Sequence, residues 1–544
     1  MGRAPVRARM QEQPLLLSGL LRHAETYHPA SQIVSRTPEG PIHRYANAEM
    51  AARARRLASA LERRGLGFGD VVGSLAWNHY RHLEVFHAVP GAGMVLHTAN
   101  PRLFPEQISY AVNHAAERWL FFDLASQALV EALAPEMPGV ATYVALTDLG
   151  HMPQVKLPGD LVCYEELLAE GDDGYDWPAF DERTGSTLCY TSGTTGDPKG
   201  ALYSHRGSVL QAWAVASAGI WDIAAGDVLL PCAPLYHCNA WSAPYVAAMT
   251  GAKLVLPGRE LDPAPLHELI IAEGVTYASG VPTIWLGMLA HLEATGDGLG
   301  RLRRVASGGS AVPDAMTAAL EGYGVETIHA WGMTETTAAS TFSRPPADAE
   351  PEAAAAIRRR QGVPFYGSEA RIVDDAGRPL PHDGEAQGHL MVRGHWIASD
   401  YFRSDLGPLL DAEGWMPTGD VATIDEGGSV EITDRSKDLV KSGGEWISSI
   451  QLENTAVGHP GIAEAAVIAV PHPKWQERPL LVAVKAAGVD VDKAELIAYL
   501  ADRVPKWWLP EDVVFVDALP HTATGKLRKT ELRDRFSDHV LSKA

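Results

Sequence analysis

Apolar residues recur at helical spacing over residues 48–64, where Leu57 and Leu61 stand among alanines and arginines. Gly69 and Asp70 break that pattern before a mostly apolar run at 71–76. The alternation continues with a helix predicted at 84–89, a strand at 94–96, a helix at 106–114 and a strand at 119–122. It returns at 252–256, 265–273, 275–278 and 302–306. Helix-period segments alternating with short apolar runs predict an α/β architecture with partly parallel sheets. No fixed-period repeat signals a solenoid.

Residues 347–360 predict a surface helix. Pro345 and Pro346 precede it, Glu350 and Glu352 fall in its first turns, and Arg358, Arg359 and Arg360 close it. Acid at the start and base at the end suit the helix dipole, so the triplet reads as a solvated helix end. After about residue 365 short strands at 369–373, 389–392, 421–424 and 430–433 are broken by Gly, Asp and Pro. They predict a small antiparallel unit. Beyond the polar segment 434–437, strands at 465–470, 480–485 and 513–516 surround a helix at 493–504. That ending has the size of one independent domain, about 110 residues. The chain therefore divides into a tail over 1–12, a large unit over 13–434, a hinge at 435–437 and a C-terminal unit over 438–544.

Composition narrows the function classes. The chain has 544 residues, is 46% hydrophobic and 21% charged, and carries a formal net charge of −21. Such a surface repels nucleic acid and anionic membrane, so an anionic substrate must be drawn in by local positive groups. The four cysteines, Cys163, Cys189, Cys232 and Cys238, form no CxxC pair, which argues against zinc and a disulfide scaffold and fits a reducing cytoplasm. No apolar run is long enough to span a bilayer. Arg3, Arg7 and Arg9 precede no signal core, and residues 1–12 read as a loose tail or as sequence upstream of a start at Met10.

The densest chemistry lies at residues 190–200, YTSGTTGDPKG. A strand-like stretch, 186–190, leads into it. Glycines and small hydroxyl side chains let several backbone N–H groups and hydroxyls converge on phosphate oxygens, and Lys199 adds a mobile positive charge. The G-x-x-x-x-G-K-[ST] pattern is not met, because Pro198 stands where Gly is needed and Gly200 where Ser or Thr is needed.

Four more motifs follow in order. They are AWGMTET at 330–336, GWMPTGD at 414–420, DRSKD at 434–438 with KSGGE at 441–445, and TATGK at 522–526. Each alone reads as a turn or a core segment. Together, in this order and at these intervals, they resemble the adenylate-forming superfamily of acyl-CoA synthetases, peptide-synthetase adenylation domains and beetle luciferases. The resemblance covers residues 15–535. It implies two α/β subdomains and a distorted β-barrel, followed after a hinge by a small mobile α+β lid.

The resemblance also implies roles. Thr191, Ser192, Gly193, Thr194, Thr195, Gly196 and Lys199 would grip the pyrophosphate end of ATP. Thr194 and Glu335 would place Mg²⁺, a hard cation that prefers oxygen. Trp331 would lie against adenine, with Ala330, Gly332, Met333 and Thr334 beside it and Gly308, Gly309 and Ser310 as the other wall. Asp420, assisted by Arg435, would hold the ribose hydroxyls. Lys526 would screen the carboxylate from the α-phosphate while an acyl-adenylate forms. Lys437 would be the hinge, and after rotation Lys441, Gly443, Gly444, Glu445 and Trp446 would line the thiol's path.

The segment 234–241, PLYHCNAW, bears on the acid. Amino-acid-activating relatives carry an aspartate hereabouts; this chain has His237 and Cys238. The segment resembles medium- and long-chain fatty acyl-CoA synthetases, in which the histidine lies near the carboxylate and the tryptophan, here Trp241, gates an acyl tunnel. Trp241, Trp331 and Trp446 together resemble bacterial enzymes for fatty acids and for 3-methylmercaptopropionate. The expected activity is an acid–CoA ligase using ATP, Mg²⁺ and coenzyme A. Loading a phosphopantetheinyl carrier protein in trans is the alternative. A homodimer paired through the large unit is expected.

Overall fold

The structure, a computed structural model, describes residues 8–191, 197–346, 348–442, 445–486, 488–521, 527–537 and 539. Its first sheet has seven strands, in the order Asp160–Cys163, Thr142–Ala145, Trp119–Phe122, Val71–Leu75, Val95–Thr98, Gly185–Tyr190 and Gly200–Ser204. All neighbours are parallel except the last pair. Val71–Leu75, Val95–Thr98 and Trp119–Phe122 are buried at every position, as strands of a covered parallel sheet are.

The second sheet has nine strands. Six central ones are parallel, in the order Glu326–Trp331, Arg304–Gly308, Tyr277–Gly280, Val228–Pro231, Lys253–Leu256 and Gln32–Arg36. Antiparallel strands finish both edges. One apolar core joins the two sheets through the helices Leu17–Tyr27, Asn47–Arg63, Tyr80–Gly91 and Ala243–Thr250.

The helix Tyr80–Gly91 is buried along its whole length. A helix covered on every side has no polar stripe, so periodicity picked out only its middle. Its Glu84 carboxylate is compensated there by Arg53 at 2.8 Å and by the Tyr164 hydroxyl at 2.6 Å. The helix expected at 347–360 runs Pro351–Arg359, with Pro351 at its first helical position.

Where a distorted barrel was expected there is an open four-stranded antiparallel sheet, Ser368–Val373, Gly388–Gly394, Met416–Ile424 and Val430–Arg435. A further mixed sheet starts at Val440–Ser442 and contains the long hairpin Ile462–His472 and Gln476–Lys485. The helices Ser449–Val457 and Lys493–Ala501 pack on one face of it and Lys529–Arg535 on the other. Among the described residues no helix is long and apolar enough to cross a membrane, and all four cysteines are free and buried.

Candidate active site

A cavity of about 340 Å³ opens at the C-terminal ends of the central parallel strands, where Gly308, Ala330 and Trp331 line it. Strand ends of parallel sheets are where ligands gather in such folds. Leu527, Arg528 and Arg533 of the C-terminal unit line the same space. Arg528 also stands 5.2 Å from the Phe104 ring, joining the two units beside it.

The residues flanking the 192–196 segment are held together. Tyr190 pairs with Gly200 across adjacent strands, Thr191 N–H donates to the Lys199 carbonyl at 2.8 Å, and Lys199 N–H donates to Thr191 Oγ1 at 3.2 Å. Thr191 and Lys199 both line the cavity. Ser192, Gly193, Thr194, Thr195 and Gly196 lie outside the described residues.

Close approach of backbone shapes the opposite wall. A Cβ at Gly332 would stand 1.8 Å from the Ala338 carbonyl oxygen, and one at Gly308 would stand 2.3 Å from that of Ala330. Both are contacts no side chain can make, so these positions require glycine. Gly309, Met333 and Thr334 line the cavity beside them; Ser310 follows Gly309 but does not line it. The Tyr203 hydroxyl pins this loop by donating to the Thr334 carbonyl at 2.6 Å.

Glu335 lines the cavity and is 5% exposed. It accepts a 2.5 Å hydrogen bond from the Tyr401 hydroxyl. Burial, with Glu335 beside it, pushes the Tyr401 phenol well above its ordinary range, so it stays protonated and donates. Lys199 Nζ stands 5.2 Å from the same ring. A nearly buried carboxylate in the same cavity as Thr191 and Lys199 fits a hard cation held by oxygen.

Trp331 Nε1 donates to Asp420 Oδ2 at 2.9 Å across 89 positions of sequence. Arg435 Nε stands 3.6 Å from Asp420 Oδ1, and the two residues pair across adjacent strands. Indole and guanidinium thus meet at one carboxylate.

The other end of the cavity is apolar, lined by Trp221, Cys232, Trp241, Leu261, Ile284 and Phe342. His237 and Cys238 sit at its entrance. From Cys238 through Ser242 five consecutive non-glycine residues have positive φ, between 46° and 64°. A left-handed turn of L-residues costs about 1–2 kcal/mol per residue. It is held by buried contacts: Asn239 Nδ2 donates to Thr187 Oγ1 at 3.1 Å, and Ser242 Oγ donates to Gln211 Oε1.

Lys437 lies at the rim, and its carbonyl accepts from Arg533 Nη2 at 3.1 Å, while Arg533 also pairs with Asp438. Lys441 is exposed and does not line the cavity. It pairs with Trp446 across a short hairpin, its Nζ 5.9 Å from that ring. The backbone of Glu445 belongs to the same hairpin; Gly443, Gly444 and Lys526 lie outside the described residues.

Sequence reasoning missed four residues here. Asn100 and Arg102 line the cavity from the loop after Val95–Thr98, and only the Asn-Pro pair at 100–101 marked that loop as a turn. Tyr401 lies in an unpatterned loop and carried no signal. Lys529 is buried against Glu453 at 2.7 Å and donates to Ser449 Oγ at 2.5 Å, which ties down the segment next to Lys526.

Residues 21–402 match the model of the AMP-binding enzyme family, and residues 451–526 match that of the AMP-binding enzyme C-terminal domain. The chain belongs to the AMP-binding enzyme family. It is 51% identical over 533 residues to a 3-methylmercaptopropionyl-CoA ligase of Ruegeria pomeroyi, covering 97% of this chain and 98% of that protein. It is 47% identical over 536 residues to a medium-chain-fatty-acid–CoA ligase of Ectopseudomonas oleovorans, covering 98% of each. The fold matches the anthranilate CoA ligase AuaEII in complex with anthranoyl-AMP, with a TM-score of 0.85 at 23% identity over 97% of this chain and 98% of that one. ATP-bound MatB from Rhodopseudomonas palustris matches with a TM-score of 0.80 at 26% identity over 96% and 99%.

Proposed function

We propose that this AMP-forming acid–CoA ligase takes unbranched aliphatic acids of short to medium length, the thioether acid 3-methylmercaptopropionate among them. The observation that carries the reading is one cavity with two unlike ends. Thr191, Lys199, Glu335 and Arg435 line one part of it, and Trp221, Leu261, Ile284 and Phe342 line another in which no carboxylate stands among the described residues.

The reaction has two halves. A carboxylate oxygen attacks the α-phosphorus of ATP, pyrophosphate leaves, and an acyl-adenylate remains. The CoA thiol then loses its proton and attacks the acyl carbon, and AMP leaves. Thr191, Lys199 and the loop between them hold the phosphates. Trp331 covers the adenine face, an aromatic stack worth about 1–3 kcal/mol. Asp420, already fixed by Trp331 and Arg435, accepts from the ribose hydroxyls. Glu335 and Thr194 hold Mg²⁺, which neutralises phosphate charge when bound. His237 lies beside the acid's carboxylate, and Lys526 meets the two anions where they approach.

The hinge is at 435–437, with Lys437 as its pivot, and the unit beyond it turns between the halves. Leu527 and Arg528 at the cavity, with Lys441 and Trp446 away from it, suit the adenylating arrangement. Rotation brings the Lys441–Trp446 hairpin to the thiol's path. The working form is a homodimer paired through the large unit.

Pyrophosphate release with acids from propionate through palmitate, including 3-methylmercaptopropionate and benzoate, tests the reading. Turnover should be highest with aliphatic acids of intermediate length or shorter, and AMP release should require CoA. Preference for benzoate, or AMP release with a phosphopantetheinyl carrier protein instead of CoA, would overturn it.

A further inference from the structure

Trp221 lines the apolar end of the cavity, is 1% exposed, and packs its ring 4.8 Å from that of Tyr277. Strand register gives the depth. Tyr277 is level with Arg304, four residues before Gly308, which lines the cavity. At the usual rise of a strand that places the contact on the order of 10 Å along the strands from Gly308.

A second cavity, of about 200 Å³, borders the first at Phe342 and is lined also by Ile220, Arg344, Ile357, Val363 and Phe365. Phe342 therefore borders both spaces, with Trp221 lining the first and its chain neighbour Ile220 the second. Val363 is 47% exposed, so the second cavity reaches the surface.

Both chain neighbours are braced. The Trp221 carbonyl accepts from Arg304 Nη1 at 3.3 Å, and the Ile220 carbonyl accepts from Arg344 Nη1 at 3.4 Å. Both guanidiniums also reach the Asp222 carboxylate, at 3.4 and 3.7 Å, and both reach Glu326. Trp241 differs, since it sits on the left-handed turn and is only partly buried.

The geometry assigns to Trp221 the floor of the acyl cavity: it sets the longest acid the enzyme accepts, and removing it opens the second cavity to the ω-end of longer chains. This rests on the ligase reading of the cavity. On this assignment Trp221 acts on acid length and not on nucleotide binding.

The test is kcat/KM for saturated acids from propionate through palmitate in wild type, W221A and W221L, with the KM for ATP and the thermal unfolding temperature of each. W221L keeps an apolar filler under the same braces and serves if W221A does not fold. Both variants should move the length cut-off upward, gaining roughly tenfold or more on acids that wild type rejects. The KM for ATP should stay close to wild type. An unchanged cut-off in a folded variant, or equal loss on every acid, would overturn the assignment. A wild-type protein that forms no adenylate with any acid would sink the ligase reading itself, and this inference with it.

Discussion

At the nucleotide end of the cavity, directional contacts fix each polar group: Trp331 donates to Asp420, Arg435 faces the same carboxylate, and Tyr401 donates to Glu335. At the acyl end, Trp221, Cys232, Leu261 and Phe342 present mainly apolar surface. ATP is one molecule that must be held in one pose, so its end is built from bonds with angles. Acids vary in length, so their end is built from walls. Changes at the two ends should therefore separate in kinetics, the first moving ATP and rate, the second moving acid preference.

Lys526→Ala should have the largest effect. Adenylate formation should fall by roughly 10²-fold or more, the usual cost of removing a charge aimed at a transition state. A supplied acyl-adenylate should still react with CoA. Pyrophosphate exchange and thioester formation from the adenylate measure the two halves, and equal loss of both would break the division of roles.

Asp420→Ala comes next. It strands the Trp331 indole and the Arg435 guanidinium along with the ribose contacts, and hydrogen bonds to a charged group are worth about 1.5–3 kcal/mol. The KM for ATP should rise roughly 10- to 100-fold with the order of preference among acids unchanged. A reordered acid panel would show the ends to be coupled.

Trp241→Ala should be milder and of the opposite kind. A partly buried wall residue lost at the entrance should shift KM among acids several-fold, with ATP unaffected. A comparable rise in the KM for ATP would break the comparison.

The smallest effect near neutral pH concerns stability. Burial holds His329, on the strand that carries Trp331, down at about 4. With its folded value below the unfolded one, the stability it contributes is full above pH 6.5. It is lost as pH falls from there toward 4, by about 1 kcal/mol at pH 5.5. His329→Gln should flatten that part of the unfolding-temperature profile and leave acid preference alone. A variant whose profile still falls as steeply would assign the loss to other groups.

The nucleotide end was legible because its chemistry uses glycines, hydroxyls and charged residues in short runs. Those residue types, as at 190–200 and 330–336, have few structural reasons to cluster. The α/β alternation was legible for the same reason that it folds: buried strands such as Trp119–Phe122 are apolar throughout. Of the acyl end, only the 234–241 segment was legible, through the family resemblance. Trp221 lies between the turn residues Gly219 and Asp222, and nothing local tells a cavity floor from a core tryptophan. The left-handed turn at 238–242 contains no glycine, the residue that would have announced it. Tyr401 and Lys529 act through partners distant in sequence, which a linear reading cannot pair.

That turn places part of the enzyme's selectivity where the acid never goes. Its backbone keeps an unfavourable conformation only while Thr187 and Gln211, from a strand and a helix outside the segment, hold Asn239 and Ser242. Drift at those supporting positions can alter how Trp241 is presented without touching a wall residue. Enzymes with identical linings can therefore diverge in diet, and grafting the lining alone into a relative would not transplant its appetite.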